Sequence, residues 1–216
     1  MKRNRETIGF TILEMLVVVG VIVVLTTMVI TLTARFEHRG KERVIKSTFA
    51  MLDAALSEFA EYGYDYKYED EEDNWPIFPL DCTGFDSGEL QSALAEALDT
   101  EVSIDPVYDS NSSDYSGSAG LYFFLSQVPD CRGVLDRIDV SLVTNKDKNG
   151  DKLRIVVDGQ SYPLNRIIDP WGRTIRYDYY EDESNPNADE ARTFPLLTSA
   201  GADGEFGTLD DIKSNE

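Results

Sequence analysis

The longest unbroken pattern in the chain is apolar: Phe10 to Leu32 reads FTILEMLVVVGVIVVLTTMVITL, apolar or hydroxylated at every position except Glu14. As a helix it spans roughly 35 Å at about 1.5 Å per residue, enough to cross a bilayer. The helical pattern then continues with a different character. Ile45, Phe49, Leu52, Leu56 and Phe59 recur at spacings of three and four, which predicts one apolar face on a helix that runs to about Tyr62. Between the two stretches, Arg35, Arg39, Lys41, Arg43 and Lys46 stand among acidic residues, and they read equally as an interfacial, inter-subunit surface or as a solvated helix face.

Beyond that helix the period changes. Asp86 to Leu98, DSGELQSALAEAL, places Asp86 three residues before Glu89 in the manner of a capping box, with Leu90, Ala93, Leu94, Ala97 and Leu98 on one stripe; a short amphipathic helix is expected. Leu121 to Leu125, Ile138 to Thr144, Leu153 to Asp158, Thr174 to Tyr180 and Thr193 to Thr198 read as strands separated by turn-forming residues. The predicted class is α+β, with an antiparallel sheet laid against the long helix. Tyr62, Tyr64, Tyr66 and Tyr68 alternate and would share one face if extended, packing on the domain or meeting a partner. The acidic run Glu69 to Asp73 after them reads as a solvated loop.

Charge narrows the function. Among 216 residues, Lys and Arg number 20 against 40 Asp and Glu, for a net charge of −20. Nucleic acid is an improbable partner for such a chain, because phosphate binding needs clustered cations. The length suits one globular unit beyond the apolar segment. Two cysteines, Cys82 and Cys131, could pair in an oxidising compartment, and with His38 far from both in sequence a zinc site is not expected. Nor is an enzyme: there is one histidine, no nucleophile elbow and no glycine-rich phosphate loop after a strand.

The N-terminal segment admits three readings: a cleaved secretory signal, a plain single-pass anchor, or a processed assembly helix. Lys2, Arg3 and Arg5 precede the apolar run, which places that end in the cytoplasm and the acidic domain on the far side of the membrane. A secretory signal would need a small-residue cleavage site, and Leu32-Thr33-Ala34 lies at the end of an overlong core. A plain anchor gains nothing from Glu14, since an unpaired intramembrane charge costs about 2 to 3 kcal/mol.

The string Gly9-Phe10-Thr11-Ile12-Leu13-Glu14 closely resembles the processing site of type IV pilins and pseudopilins. The resemblance implies that a membrane-embedded prepilin peptidase cuts after Gly9 and methylates the new amine of Phe10. Loss of Lys2, Arg3, Arg5 and Glu6, a net of +2, would take the charge to −22. It also implies that Glu14 attracts the N-terminal ammonium of a neighbouring subunit and sets the register of a fibre. Many true pilins carry a proline midway along this helix; Thr31 stands about there, which leans towards a pseudopilin. The organisation implied is a leader over 1–9, a transmembrane and assembly helix over 10–32, the soluble half of the same helix over 33–62, and a periplasmic α+β domain over 63–216 in a pilin-like fold.

Two acidic loops carry candidate metal chemistry. Asn145 to Asp151 has oxygen side chains at alternate positions and Gly150 at the sixth, as in an EF-hand loop, but the twelfth position is Val156 where a bidentate Glu is required, so a hairpin turn is the better reading. Asp169-Pro170-Trp171-Gly172 has the residues of a type I turn. With the later stretch Leu197 to Ile212, LTSAGADGEFGTLDDI, it resembles the end of the G-type major pseudopilin of type II secretion systems, whose closing loop holds calcium. On that resemblance the calcium ligands would be Asp203, Asp210 and Asp211, with Leu197 and Ser199 contributing main-chain or hydroxyl oxygens.

The resemblance covers both ends of the chain and not the middle, where about 70–166 is longer than in compact major pseudopilins. It implies a structural, polymerising subunit of a periplasmic pseudopilus, with minor pseudopilins and an inner-membrane assembly platform as partners. The alternatives are a pilin of a surface fibre used in adhesion, motility or DNA uptake, and an anchored cation-binding domain that never polymerises.

Overall fold

The computed structural model describes residues 12–62, 78–107, 114–180 and 191–215. Gly9 and Phe10, the tyrosines at 64, 66 and 68, and the acidic run at 69–73 lie outside them. Contacts divide the chain into two units, Met1–Gly40 and Lys41–Glu216. Helix α1, Ile12–Tyr62, runs from the first into the second.

In the second unit α1 turns the predicted stripe inward. Ile45, Phe49, Leu52, Leu56 and Phe59 are buried, and Ala55 joins them in one continuous core. Each large side chain removed from water stabilises the fold by about 1.5 to 3 kcal/mol, so this face alone ties the helix to its domain. Helix α2, Ser87–Leu98, is closed at its start by the expected capping box: Asp86 accepts from the amides of Gly88 and Glu89, and the Glu89 carboxylate accepts from the Asp86 amide. Its Leu90, Leu94 and Ala97 are buried.

Among the described residues the β structure is antiparallel but divided into three small sheets, where one was expected. Strands β1 (Val102–Asp105), β3 (Arg154–Val157) and β4 (Gln160–Pro163) form the first, in the order β1-β3-β4. Strands β2 (Val143–Thr144) and β5 (Arg166–Ile167) make a two-residue ladder. The third, β6-β7-β8, comprises Arg176–Tyr180, Ala191–Ser199 and Ile212–Lys213.

Two predicted strands are corrected. Leu121 to Leu125 lies inside helix α3, Asp114–Gln127, and a further short helix α4, Pro129–Leu135, follows it. Helix α3 is buried from Ser116 to Leu121 and again at Phe124 and Leu125, so it has no broad polar face to reveal a helical period, and its aromatic run reads as strand. Ile138 to Thr144 is chiefly a 3₁₀ turn, Val140–Leu142, because the Asp139 carboxylate takes the Ser141 amide and caps it; only Val143–Thr144 is strand.

Two glycines of α3 permit close approach of the segment before α2. A Cβ on Gly120 would come within 3.0 Å of Cys82 Sγ, and one on Gly117 would strike the Thr83 side chain. That segment is stitched to β6, with the Thr83 hydroxyl donating to the Tyr177 carbonyl (2.5 Å) and the Tyr177 hydroxyl to the Pro79 carbonyl (2.7 Å). Cys82 and Cys131 are separate, buried free thiols. Cys131 donates to the Ala55 carbonyl of α1 at 3.1 Å, and burial, with Glu58 nearby, pushes its pKa up to about 11. Burial and the Asp81 charge push that of Cys82 up further. Neither is poised as a thiolate.

The N-terminal helix and the C-terminal loop

The two regions singled out by sequence belong to different units. In the first, α1 carries Glu14 in its opening turn. A carboxylate there is favoured by the partial positive charge of the helix N-terminus. Around it the surface is apolar and uncovered: Ile12 is 88% exposed, Leu13 72% and Leu16 67%, and large side chains remain exposed through Met28. Among the described side chains of this stretch the hydroxyls turn back on the helix itself, Thr26 donating to the Ile22 carbonyl and Thr27 to that of Val23, both at 2.7 Å. Such hydroxyls present no donor to the surroundings. Among the described residues no helix is long and apolar enough to cross a membrane. The 10–32 segment reaches beyond Ile12–Met28, the part of it whose side chains are described.

In the second unit, the Asp169–Gly172 turn forms as its residues predict. The Gly172 amide donates to the Asp169 carbonyl at 2.9 Å, and Asp169 Oδ1 accepts from the amides of Trp171 and Arg173, each at 2.9 Å. Its other oxygen accepts from the Ser199 hydroxyl at 2.7 Å. Asp169 is therefore a buried carboxylate that joins the turn to the end of β7.

After β7 the chain makes the glycine-rich loop that β8 closes. Gly201, Gly204 and Gly207 have positive φ, which is readily open to residues without a Cβ. Asp210 organises one side: Oδ2 accepts from the amides of Ala202 (2.8 Å) and Asp203 (3.0 Å), and Oδ1 from the Thr208 hydroxyl (2.7 Å). The Thr208 hydroxyl first, then the amides, hold its carboxyl well below the usual carboxylate range. Arg173 holds the other side, its guanidinium donating to the carbonyls of Gly201 (2.8 Å), Ala202 (3.1 Å) and Asp203 (3.2 Å).

The remaining expected calcium ligands are engaged locally. Asp203 Oδ1 accepts from the Glu205 amide, Asp211 Oδ2 from that of Gly207, and the Leu197 carbonyl from that of Ser214. Ser199 Oγ, which donates to Asp169, also accepts from the Gly201 amide at 3.3 Å. Asp211 Oδ1 is buried without a hydrogen-bond partner. Calcium takes six to eight oxygens converging on one point. Among the described residues no group of three or more His, Cys, Asp or Glu converges to hold a metal ion. As placed, Asp203, Asp210 and Asp211 each accept main-chain amides of the loop itself.

The other acidic stretch is a turn. Asp147 Oδ1 accepts from the amides of Asn149 and Asp151 at 2.8 Å, Gly150 takes positive φ, and Lys146 faces Lys152 across an antiparallel bridge.

Sequence reasoning missed Arg173 and the link from Asp169 to Ser199. The only local signal for either was the Asp-Pro-Trp-Gly turn, which fixes the backbone of residue 173 but not the destination of its side chain. No protein-family model matches the chain, and neither a curated protein nor a solved structure does.

Proposed function

We propose that the chain is a pseudopilin, a non-enzymatic structural subunit that polymerises through its N-terminal helix into the periplasmic pseudopilus of a type II secretion system. The observation that carries the reading is the exposed apolar face of α1 with Glu14 four positions after Phe10. An apolar surface of this extent needs a lipid or protein environment, and a carboxylate set within it needs a cation.

A prepilin peptidase cuts after Gly9 and methylates Phe10, and the subunit waits in the inner membrane with its domain in the periplasm. On extraction, the Phe10 ammonium of one subunit pairs with Glu14 of the next. Two unit charges about 4 Å apart attract by about 4 kcal/mol at an effective dielectric of about 20. Packing of neighbouring helices excludes water around the pair, so a subunit out of register leaves a charge buried and loses the attraction. The pair thereby selects one axial stagger, while apolar burial supplies the bulk of the association free energy. Minor pseudopilins and the inner-membrane assembly platform are the partners of this process.

The test is the mass of the N-terminal peptide from membrane-extracted protein. The expected terminus is Phe10 with one additional methyl group. An intact Met1, or a terminus near Ala34, removes the proposal.

A further inference from the structure

We infer that Arg173 is the resident cation of the C-terminal loop, doing from within the chain what the pseudopilin resemblance assigns to calcium. The loop segment from Gly201 to Asp203 lies between two opposite charges: its carbonyls point to the Arg173 guanidinium and the amides of Ala202 and Asp203 to the Asp210 carboxylate. Each peptide dipole is thereby aligned with the field of a cation at one end and an anion at the other. A planar guanidinium suits this task, because its fixed fork of N–H donors reaches several acceptors at once.

Both ends of the arrangement are built rather than incidental. The backbone of Arg173 is pinned on both sides by Asp169, whose Oδ1 accepts the Arg173 amide and whose own amide donates to the Arg173 carbonyl at 2.7 Å. Asp169 is itself buried and held by Ser199 at the root of the same loop. On the loop side, the guanidinium rests against Gly204, where an added Cβ would fall on it, and Gly204 has φ +78°. The glycine thus clears the space that the guanidinium fills.

The oxygens that the resemblance assigns to calcium, chiefly the carboxylates of Asp203, Asp210 and Asp211, border the same loop, and that of Asp210 already holds the amides of Ala202 and Asp203. A calcium ion drawn to those carboxylates meets the fixed positive charge of Arg173 on the adjoining carbonyls, which opposes its binding. The loop accordingly closes without metal, and the stability of the folded domain is independent of calcium. The inference stands apart from the polymerising role, since it concerns one subunit.

The experiment is made on the full chain purified in detergent. Calcium binding is followed by isothermal titration, and thermal unfolding is recorded in millimolar calcium and in chelator. Expected are no saturable calcium binding and the same midpoint within about 1 °C in both buffers. Arg173→Ala should lower the midpoint and accelerate amide exchange over residues 201–211, with Arg173→Lys intermediate because one ammonium cannot span three carbonyls. Saturable calcium binding by the wild type with a rise in its midpoint overturns the inference, as does an Arg173→Ala chain whose loop exchanges as slowly as the wild type. Should Arg173→Ala fail to fold, the wild-type titration and the lysine variant still decide the matter.

Discussion

Replacing Asp53 by Asn should make the protein more stable at neutral pH. Asp53 lies on α1 between the buried residues Phe49 and Leu56, four before it and three after it, and its Oδ1 is buried without a hydrogen-bond partner. Removal from water raises its pKa from 3.8 to about 6. The sign follows from linkage: a carboxyl whose folded pKa is raised binds its proton more tightly when folded. Its favourable contribution is complete below about pH 4 and is lost as pH rises through about 6. A rise of about two units corresponds to about 3 kcal/mol at about 1.4 kcal/mol per unit. The carboxylate is half-exposed, and solvent screening reduces the net effect to about 1 kcal/mol. For a chain of this size that is a shift of about 2 to 4 °C in unfolding midpoint. The assay compares the midpoints of wild type and Asp53→Asn between pH 4 and 8, so that other acids titrating in both proteins cancel. The two curves should meet near pH 4 and separate towards pH 7, with the variant higher. A variant that is less stable at pH 7.5, or a difference that does not change between pH 4.5 and 7, refutes the reasoning.

Glu14→Leu should leave processing at Gly9 intact yet stop assembly of fibres; fibres of normal length from this variant refute the pairing role. Gly117→Ala should destabilise the domain by about 1 to 3 kcal/mol, because its Cβ meets the Thr83 side chain and lies 3.2 Å from Thr83 Cα. Gly133→Ala in α4, whose Cβ meets nothing within 4 Å, should be neutral or slightly stabilising in the same chemical denaturation, and equal losses from the two variants would exclude a packing cause.

Where the sequence was legible, the determining contacts were between near neighbours. The stripe from Ile45 to Phe59 announced a helix face because successive turns of one helix bury the same side. Asp86 and Glu89 announced a helix start because both partners of the capping box lie three residues apart. Asp169, Pro170 and Gly172 announced a turn for the same reason. Glu14 stood out because a single charge in an apolar run has no local explanation. The α+β class follows from such signals, summed along the chain.

The tertiary structure decided what depends on distant partners. Leu121 to Leu125 became helix because α3 is enclosed by its surroundings, and burial on nearly every side erases the polar face by which a helix is recognised. The expected sheet resolved into three because pairing is set by which strand edges meet, not by the strands' own composition. Arg173 reaches carbonyls 28 to 30 residues away, and Asp169 reaches Ser199 across 30. Nothing in the spacing of residues 201–211 distinguishes a loop that awaits an external cation from one already holding a guanidinium. The sequence by itself determined the helix faces, caps and turns; the folded chain alone determined which positive charge the acidic loop would find.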